Sequence, residues 1–424
     1  MKILLTCGGT AGHINPAVAL ARMFQERMED SQVLFVGAKG GMEERLVPKE
    51  GFPLETVTIS SFWRSLSPSS LRHNLRTLRN LSVSKKEAAR ILDGFQPDLV
   101  VGTGGYASYP VVHEAARRGI PTAVHESNAV PGLTTQRLAK VADRVMVGYE
   151  DSRQHYHHPD RVVVTGTPVR GEFFRLTRQQ ARDALGIRDD RPLVLSYWGS
   201  LGAEVMNGYM TDFIRRAVRE GAPFHHIHGA GRNYGAMQKA LAGVSLPPEI
   251  QLREYIYDMP TVMVAADLVL CRGGASTLSE LTAIGKPAVI VPSPNVTNHH
   301  QEKNANVLAR QGGAVVLLEP VCSGDTLYQT TQDLLAAPQR RQAMAQALSL
   351  IHISEPRPWR RWGFQTRRKR SMKPSFPWEM GRRGPRPPGR DTHLTGQESG
   401  PGSHMLPVLP GGPGGRRTNL SPSA

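Results

Sequence analysis

At 424 residues the chain is too long for one ordinary domain and long enough for two, each with its own core. No run of eighteen apolar residues is present, so no membrane-spanning helix is expected. Three cysteines without C-x-x-C spacing, Cys7, Cys271 and Cys322, argue against a disulfide or zinc framework and suit a reducing cytosol. Of the net charge of +16, the stretch from Leu348 to Ala424 carries +10, with 14 Lys and Arg against 4 Asp and Glu. The remaining body is therefore only mildly basic, and no nucleic-acid partner is expected.

In chain order, MKILLTCGGT reads directly as a strand and not as a signal peptide. The strand KILLTC is followed by the helix AVALARMFQERM, QVLFVGA by a helix near MEERLVPKEG, and DLVVGTGG by a helix near PVVHEAARRG. TAVHES and RVMVGY then complete a first series. After the turn-rich GTPVRGEFF the pattern restarts with PLVLSYWGS, FHHIHGAG, IQLREYI, DLVLCRGG, AVIVPSP and GAVVLLE, with helices between them. Short apolar strands alternating with helices predict parallel sheets built from βαβ units, and two series predict two doubly wound α/β domains. The expected boundaries are 1–165 and 166–347, with the ligand in the cleft between them, outside the C-terminal strand ends.

Four glycine-rich stretches follow strands: CGGTAGH (7–13), GTGGY (102–106), YWGSLGA (197–203) and CRGGAS (271–276). Glycine lets backbone approach a ligand closely, which suits phosphate. Any one alone is weak, because turns use glycine anyway and none ends in the P-loop Lys-Ser/Thr. Together, at equivalent sheet ends, they point to a nucleotide-type ligand. His13 follows the first loop and is the residue-level candidate for proton transfer, with binding of an anionic group as its other reading. The histidines at 155, 157 and 158, and at 225, 226 and 228, do not read as a closed ligand set, and no D-x-D motif is present; no metal and no cofactor are expected.

In SFWRSLSPSSLRHNLRTLRNL (61–81), leucines at helical spacing alternate with Arg72, Arg76 and Arg79, and Phe62 and Trp63 lie just upstream. A helix packed on a core has the same leucine spacing. The basic and aromatic residues also suit docking on an anionic membrane surface.

GGTAGH, GTGGY, HESNAVPG (125–132), TGTPVR (165–170), WGSLGAEVMN (198–207), YIYDM (255–259), CRGGASTLSE (271–280) and HHQEKNA (299–305) occur together in the order and spacing of the MurG family. Members transfer GlcNAc from UDP-GlcNAc to undecaprenyl-diphospho-MurNAc-pentapeptide (lipid I), giving lipid II. The resemblance runs from Met1 to about Ala347. It implies a GT-B architecture, two Rossmann-like domains with the acceptor side N-terminal and the donor side C-terminal, at the cytoplasmic face of the bacterial membrane. It also implies that Glu280 accepts hydrogen bonds from the donor ribose, with the diphosphate near Ala275, Ser276, Thr277 and Ser200. Tyr255 and Ile256 match the uracil segment, and Arg170 the arginine beside the nucleotide. Gln301, Asn304 and Asn128 match sugar contacts, with Thr10 and Gly12 on the donor side of the first loop. Gly8, Gly9, Gly104, Gly105 and Tyr106 match the acceptor diphosphate loops. His13 is then the base for the MurNAc 4-hydroxyl, with Glu126 as its rival or its orienting partner, and the reaction inverts the anomeric centre. Read as residues alone, Gln301 and Asn304 at i, i+3 are equally a wet helix surface, and Arg170 a hinge ion pair.

Ala11, Ser127, Thr167, Leu201 and Gly273 depart from the residues frequent in the family. Alanine at 11 would strain the acceptor loop if that position needed φ > 0. The larger departure begins at Leu348. Residues 348–424 hold 12 of the 32 prolines and 3 of the 5 tryptophans and are expected to be disordered. Their opening, LSLIHISEP, resembles the translated read-through of a sequencing-library adapter, so they are expected to be foreign to the gene and to replace a helical segment that braces the two domains; the other reading is a genuine basic tail for anionic lipid. Two other functions compete with this one: a UDP-GlcNAc 2-epimerase, on a similar scaffold but without need of the HESN–Asn304 arrangement or a membrane face, and a truncated UDP-sugar-binding protein without turnover. Dependence on the lipid acceptor separates the first, and binding without transfer the second.

Overall fold

The computed structural model describes residues 1–60, 67–199 and 202–351, and for 68–76, 78, 79, 297 and 351 the backbone alone. Two parallel sheets form, as the alternation of apolar runs and amphipathic segments predicts. The strands are β1 (Lys2–Thr6), β2 (Gln32–Ala38), β3 (Leu54–Val57), β4 (Leu99–Gly102), β5 (Thr122–Glu126), β6 (Arg144–Val147) and β7 (Val162–Val164), then β8 (Leu193–Tyr197), β9 (His225–Gly229), β10 (Ile250–Arg253), β11 (Leu268–Cys271), β12 (Ala288–Ile290) and β13 (Ala314–Val316). The first seven form one sheet in the order β3-β2-β1-β4-β5-β6-β7 and the rest a second in the order β10-β9-β8-β11-β12-β13.

Each sheet reverses its winding once, between β1 and β4 in the first and between β8 and β11 in the second. These four strands are buried almost throughout because helices cover both faces, which is why they read as unbroken apolar runs. Ile3 pairs with Leu99, and Leu268 with Val194, so the four strands end level in their sheets. The four glycine-rich stretches are the loops that leave them, at the two switch points where doubly wound sheets bind ligands.

The sequence reading missed two strands. β3 is four residues at an edge with only Val57 buried, and β7 is three residues at the other edge. Phe173 already belongs to the core of the second sheet, so the chain crosses between sheets in 165–172. Ala11 needs no special backbone. It opens the helix Ala11–Arg27, and the positive-φ residues other than glycine among those described are Gln96, Ala222, Asn298 and His299.

Order also continues past Ala347. The helix Pro338–Ile351 runs through the expected start of the tail, and Leu348 is fully buried beside Leu308 and Leu281 in the second core. The reason is periodicity: Met344 and Leu348 stand four residues apart and extend one apolar stripe. The rest of the expected tail, from His352, lies outside the described residues, as do Phe62 and Trp63. Arg72, Arg76 and Arg79 fall on the helix Pro68–Phe95, whose side chains there are likewise outside them.

Candidate active site in the interdomain cleft

An open cleft of about 250 Å³ lies where the two sets of strand ends face each other. Ala11, Gly12 and Asn15 line it from the first domain. From the second come Arg170, Tyr197, Gly199, Gly229, Tyr255, Ile256, Ala275, Ser276, Thr277 and Glu280. The domains approach closely here, and the Ser276 hydroxyl reaches the Gly12 carbonyl at 3.5 Å.

The floor is the helix Ala275–Ala283. Its N-cap is Gly274, which has no side chain to satisfy the first amides, so an anion can use them. Glu280 sits one turn further on, and no described residue hydrogen-bonds to its carboxylate. Burial pushes Glu280 up to about 7, while the neighbouring Arg170 guanidinium pulls it down. Arg170 lies over the Phe173 ring, with its Nε buried and unpartnered. Tyr255 stands half-exposed at the mouth, and Ile256 is buried behind it. Ser200, expected beside the diphosphate, lies outside the described residues together with Leu201.

On the facing side, Thr10 is the N-cap of the helix Ala11–Arg27 without a capping bond to the backbone. His13, two residues into this helix, turns its ring back, and Nδ1 lies 2.8 Å from the Gly8 carbonyl oxygen and 3.3 Å from the Thr10 hydroxyl. A carbonyl only accepts, so Nδ1 carries the hydrogen and the lone pair of the neutral ring is on Nε2. Tyr106 packs against Gly9, and its hydroxyl is pushed up by burial and by the charge of Glu43.

Glu126 is buried at the end of β5, and both of its oxygens accept hydrogen bonds. One oxygen accepts the Asn128 backbone N–H at 3.0 Å and its side-chain amide at 2.8 Å, and the other accepts the Gly132 N–H at 3.0 Å. The carboxylate therefore ties down the 126–132 loop. Asn128 and Asn304, matched to sugar contacts, are hydrogen-bonded to each other. Asn304 is completely buried, accepts the Ala129 N–H at 2.8 Å and donates to the Asn128 side chain at 3.1 Å and the Gly273 carbonyl at 3.3 Å. Three hydrogen bonds occupy both amide hydrogens and one lone pair of the oxygen, and stitch the two domains together. Gln301 spends its oxygen on the Ser293 N–H and keeps its amide nitrogen.

The sequence reading missed His300, the neighbour of Gln301 in the His299-His300 doublet. It begins the helix His300–Arg310 after two left-handed residues, Asn298 and His299, and its Nδ1 is buried without a partner. Burial lowers its pKa, with the Glu126 carboxylate opposing and His13 reinforcing, so it faces the same space as those two groups. The buried histidines of β9 have another role: Ser196 Oγ bridges His226 Nε2 and His228 Nδ1, each at 2.7 Å, and His228 Nε2 meets Asn207.

The chain matches two family models, the glycosyltransferase family 28 N-terminal domain over residues 3–147 and its C-terminal domain over 194–355. A UDP-N-acetylglucosamine–N-acetylmuramyl-(pentapeptide) pyrophosphoryl-undecaprenol N-acetylglucosamine transferase of Acetivibrio thermocellus is 41% identical over 84% of this chain and 95% of its own. One of the same name from Halalkalibacterium halodurans is 36% identical over 83% and 96%. Among solved structures, Acinetobacter baumannii MurG aligns with a TM-score of 0.61 at 25% identity, covering 83% of this chain and 94% of that one. The UDP-GlcNAc 2-epimerase of Neisseria meningitidis aligns with a TM-score of 0.53 at 17% identity over 83% and 98%, a likeness of fold alone.

Proposed function

Because this chain belongs to glycosyltransferase family 28, and within it to the UDP-GlcNAc-dependent transferases that make lipid II, we propose how its cleft divides that reaction among its residues. The enzyme moves GlcNAc from UDP-GlcNAc to the MurNAc 4-hydroxyl of lipid I. The donor diphosphate sits on the uncapped amides of Ala275, Ser276 and Thr277, with Arg170 beside it, and Glu280 accepts the ribose hydroxyls. Tyr255 and Ile256 flank the uracil. His13 Nε2 takes the proton from the 4-hydroxyl as its oxygen attacks C1. The C1–O bond to UDP breaks with its electron pair leaving on the diphosphate, whose growing charge the helix amides and Arg170 stabilise. Attack opposite the leaving group inverts the anomeric centre.

The single observation that carries this reading is the fixed orientation of His13. Its Nδ1–H is committed to Gly8, no described residue hydrogen-bonds to Nε2, and His13 directly follows Ala11 and Gly12, which line the cleft. Glu126, with both oxygens accepting hydrogen bonds, is assigned to holding the 126–132 loop and not to proton transfer. Asn128 and Asn304 keep the domains in register, and Gln301 reaches the sugar with its remaining amide. No described helix is long and apolar enough to cross a membrane. In this reading the lipid substrate is met at the membrane surface, and residues 61–81, with Phe62, Trp63, Arg72, Arg76 and Arg79, are the segment proposed to face anionic lipid.

The test is transfer of radiolabelled GlcNAc to a short-chain lipid I analogue by the full chain and by His13→Asn. Loss of kcat by about 10²–10⁴-fold with an unchanged KM for UDP-GlcNAc is expected. A His13→Asn enzyme as fast as the parent would end the assignment, and absence of transfer by the parent would count against the function.

A further inference from the structure

Glu43 is a buried acid that the transfer chemistry above does not use. It begins the helix Glu43–Lys49, and its surface is wholly enclosed. Among the described residues no Lys, Arg or His pairs with it. Its two oxygens have different partners: Oε1 accepts the Ala38 N–H at 2.6 Å and Oε2 the Gly9 N–H at 3.3 Å. An unpaired buried carboxylate is costly and is kept only where hydrogen bonds hold it.

The bond to Gly9 has a consequence at the base. The Gly9 N–H and the Gly8 carbonyl are the two ends of one peptide group, and the Gly8 oxygen is the acceptor of His13 Nδ1–H at 2.8 Å. Carboxylate, peptide and imidazole thus stand in one line, Oε2···H–N–C=O···H–Nδ1. A negative charge at the N–H end shifts electron density toward the carbonyl oxygen, and hydrogen bonds in series polarise one another. A stronger acceptor at Nδ1–H fixes the tautomer and makes Nε2 more basic, as a carboxylate in direct contact with a catalytic histidine does.

The second glycine loop fits this arrangement. Gly104 has φ +108°, and a Cβ there would come within 2.6 Å of His13 Cδ2; a Cβ on Gly105 would collide with the Gly8 carbonyl. Both positions leave room for the imidazole and the peptide it binds, a constraint separate from any phosphate. The Thr10 hydroxyl, at 3.3 Å from Nδ1, is the longer and weaker contact.

We propose that Glu43 is a positioning residue for His13, acting through the Gly8–Gly9 peptide group to hold the imidazole in its Nδ1–H form with the lone pair on Nε2. The inference deepens the proposed role of His13 as base and rests on it for its effect on rate, but not for its effect on the ring. An anchor that only fastened the loop would change stability and leave the tautomer alone.

The experiment is long-range ¹H–¹⁵N correlation of the ligand-free full chain at a pH where the ring is neutral, with the His13 signal assigned by its loss in H13N. The parent is expected to show a single tautomer protonated at Nδ1, and Glu43→Gln, which keeps the shape and removes the charge, a mixture with the Nε2–H form. In the transfer assay E43Q is expected to lower kcat about 10–100-fold while KM for UDP-GlcNAc stays within about twofold. If E43Q does not fold, Glu43→Asp, which keeps the charge at a longer reach, is read in its place for a smaller change of the same kind. A parent ring protonated at Nε2, or a folded variant with the parent's tautomer and kcat, would overturn the proposal. A parent that shows the expected tautomer but transfers nothing would refute the function and leave the relay standing.

Discussion

The proposed role of Glu280 at the donor ribose predicts that donor binding depends on pH, and the size of the effect can be worked out beforehand. Its carboxyl lies in the cleft, has no protein partner among the described residues and is held at about 7 by burial, against an ordinary value of 4.5. If only the ionised form accepts the ribose hydroxyls, about half of the free enzyme is competent at pH 7, roughly a tenth at pH 6 and roughly nine-tenths at pH 8. The affinity for UDP-GlcNAc should therefore fall about tenfold from pH 8 to pH 6, or about 1.4 kcal/mol. The sugar-capped diphosphate does not itself titrate in this window. Glu280→Gln should bind about 10–100-fold more weakly at pH 8, because two charge-assisted hydrogen bonds become neutral, and should lose the pH dependence. The folded value lies above the unfolded one, so the group's contribution to stability is complete below pH 4.5 and disappears as pH rises through 7. The ligand-free variant should accordingly melt higher than the parent at pH 8 and alike at pH 4. Calorimetric titration with UDP-GlcNAc in buffers of different ionisation enthalpy reads both affinity and proton release, expected at about half a proton per site at pH 7. A pH-independent parent affinity, or the same slope in E280Q, would refute the reasoning.

Asn304→Asp should leave the fold intact but place a charge against the Asn128 oxygen and the Gly273 carbonyl it now donates to, costing about 1–3 kcal/mol in thermal unfolding and lowering kcat through a looser domain seam. Gly273→Ser restores the residue frequent in the family, yet its Cβ would run into the Gln301 carbonyl; weaker UDP-GlcNAc binding is expected by calorimetry. Leu348→Ala should destabilise by about 2–5 kcal/mol in denaturant unfolding, since the side chain is fully buried. Arg310→Ala removes an exposed pair with Asp151 across the two domains and should change stability by less than about 1 kcal/mol.

The strands that frame the cleft are legible in the sequence because β1, β4, β8 and β11 are covered on both faces, so burial dictates runs such as ILLT, LVVG and LVLC. The edge strands β3 and β7 lack that signature; few of their residues are buried, and four or three residues carry no period. The glycine loops identify themselves by composition, and a helix opening on Gly274 followed by Glu280 can be read directly from CRGGASTLSE. Sequence could not decide what the polar residues in those loops hold. Asn304 and Asn128 read as ligand contacts in one dimension; in three they also bond to each other, because the two domains meet where residues 176 positions apart come within 3.1 Å. That the Glu126 oxygens accept three donors of their own loop is likewise invisible in the sequence. Glu43 and His13 lie thirty residues apart on different helices, and only the parallel pairing of β1 with β2 puts the carboxylate and the imidazole at opposite ends of one peptide group. Local burial and backbone chemistry are written residue by residue, whereas hydrogen-bond partnership across a cleft depends on how two sheets end and where their loops meet.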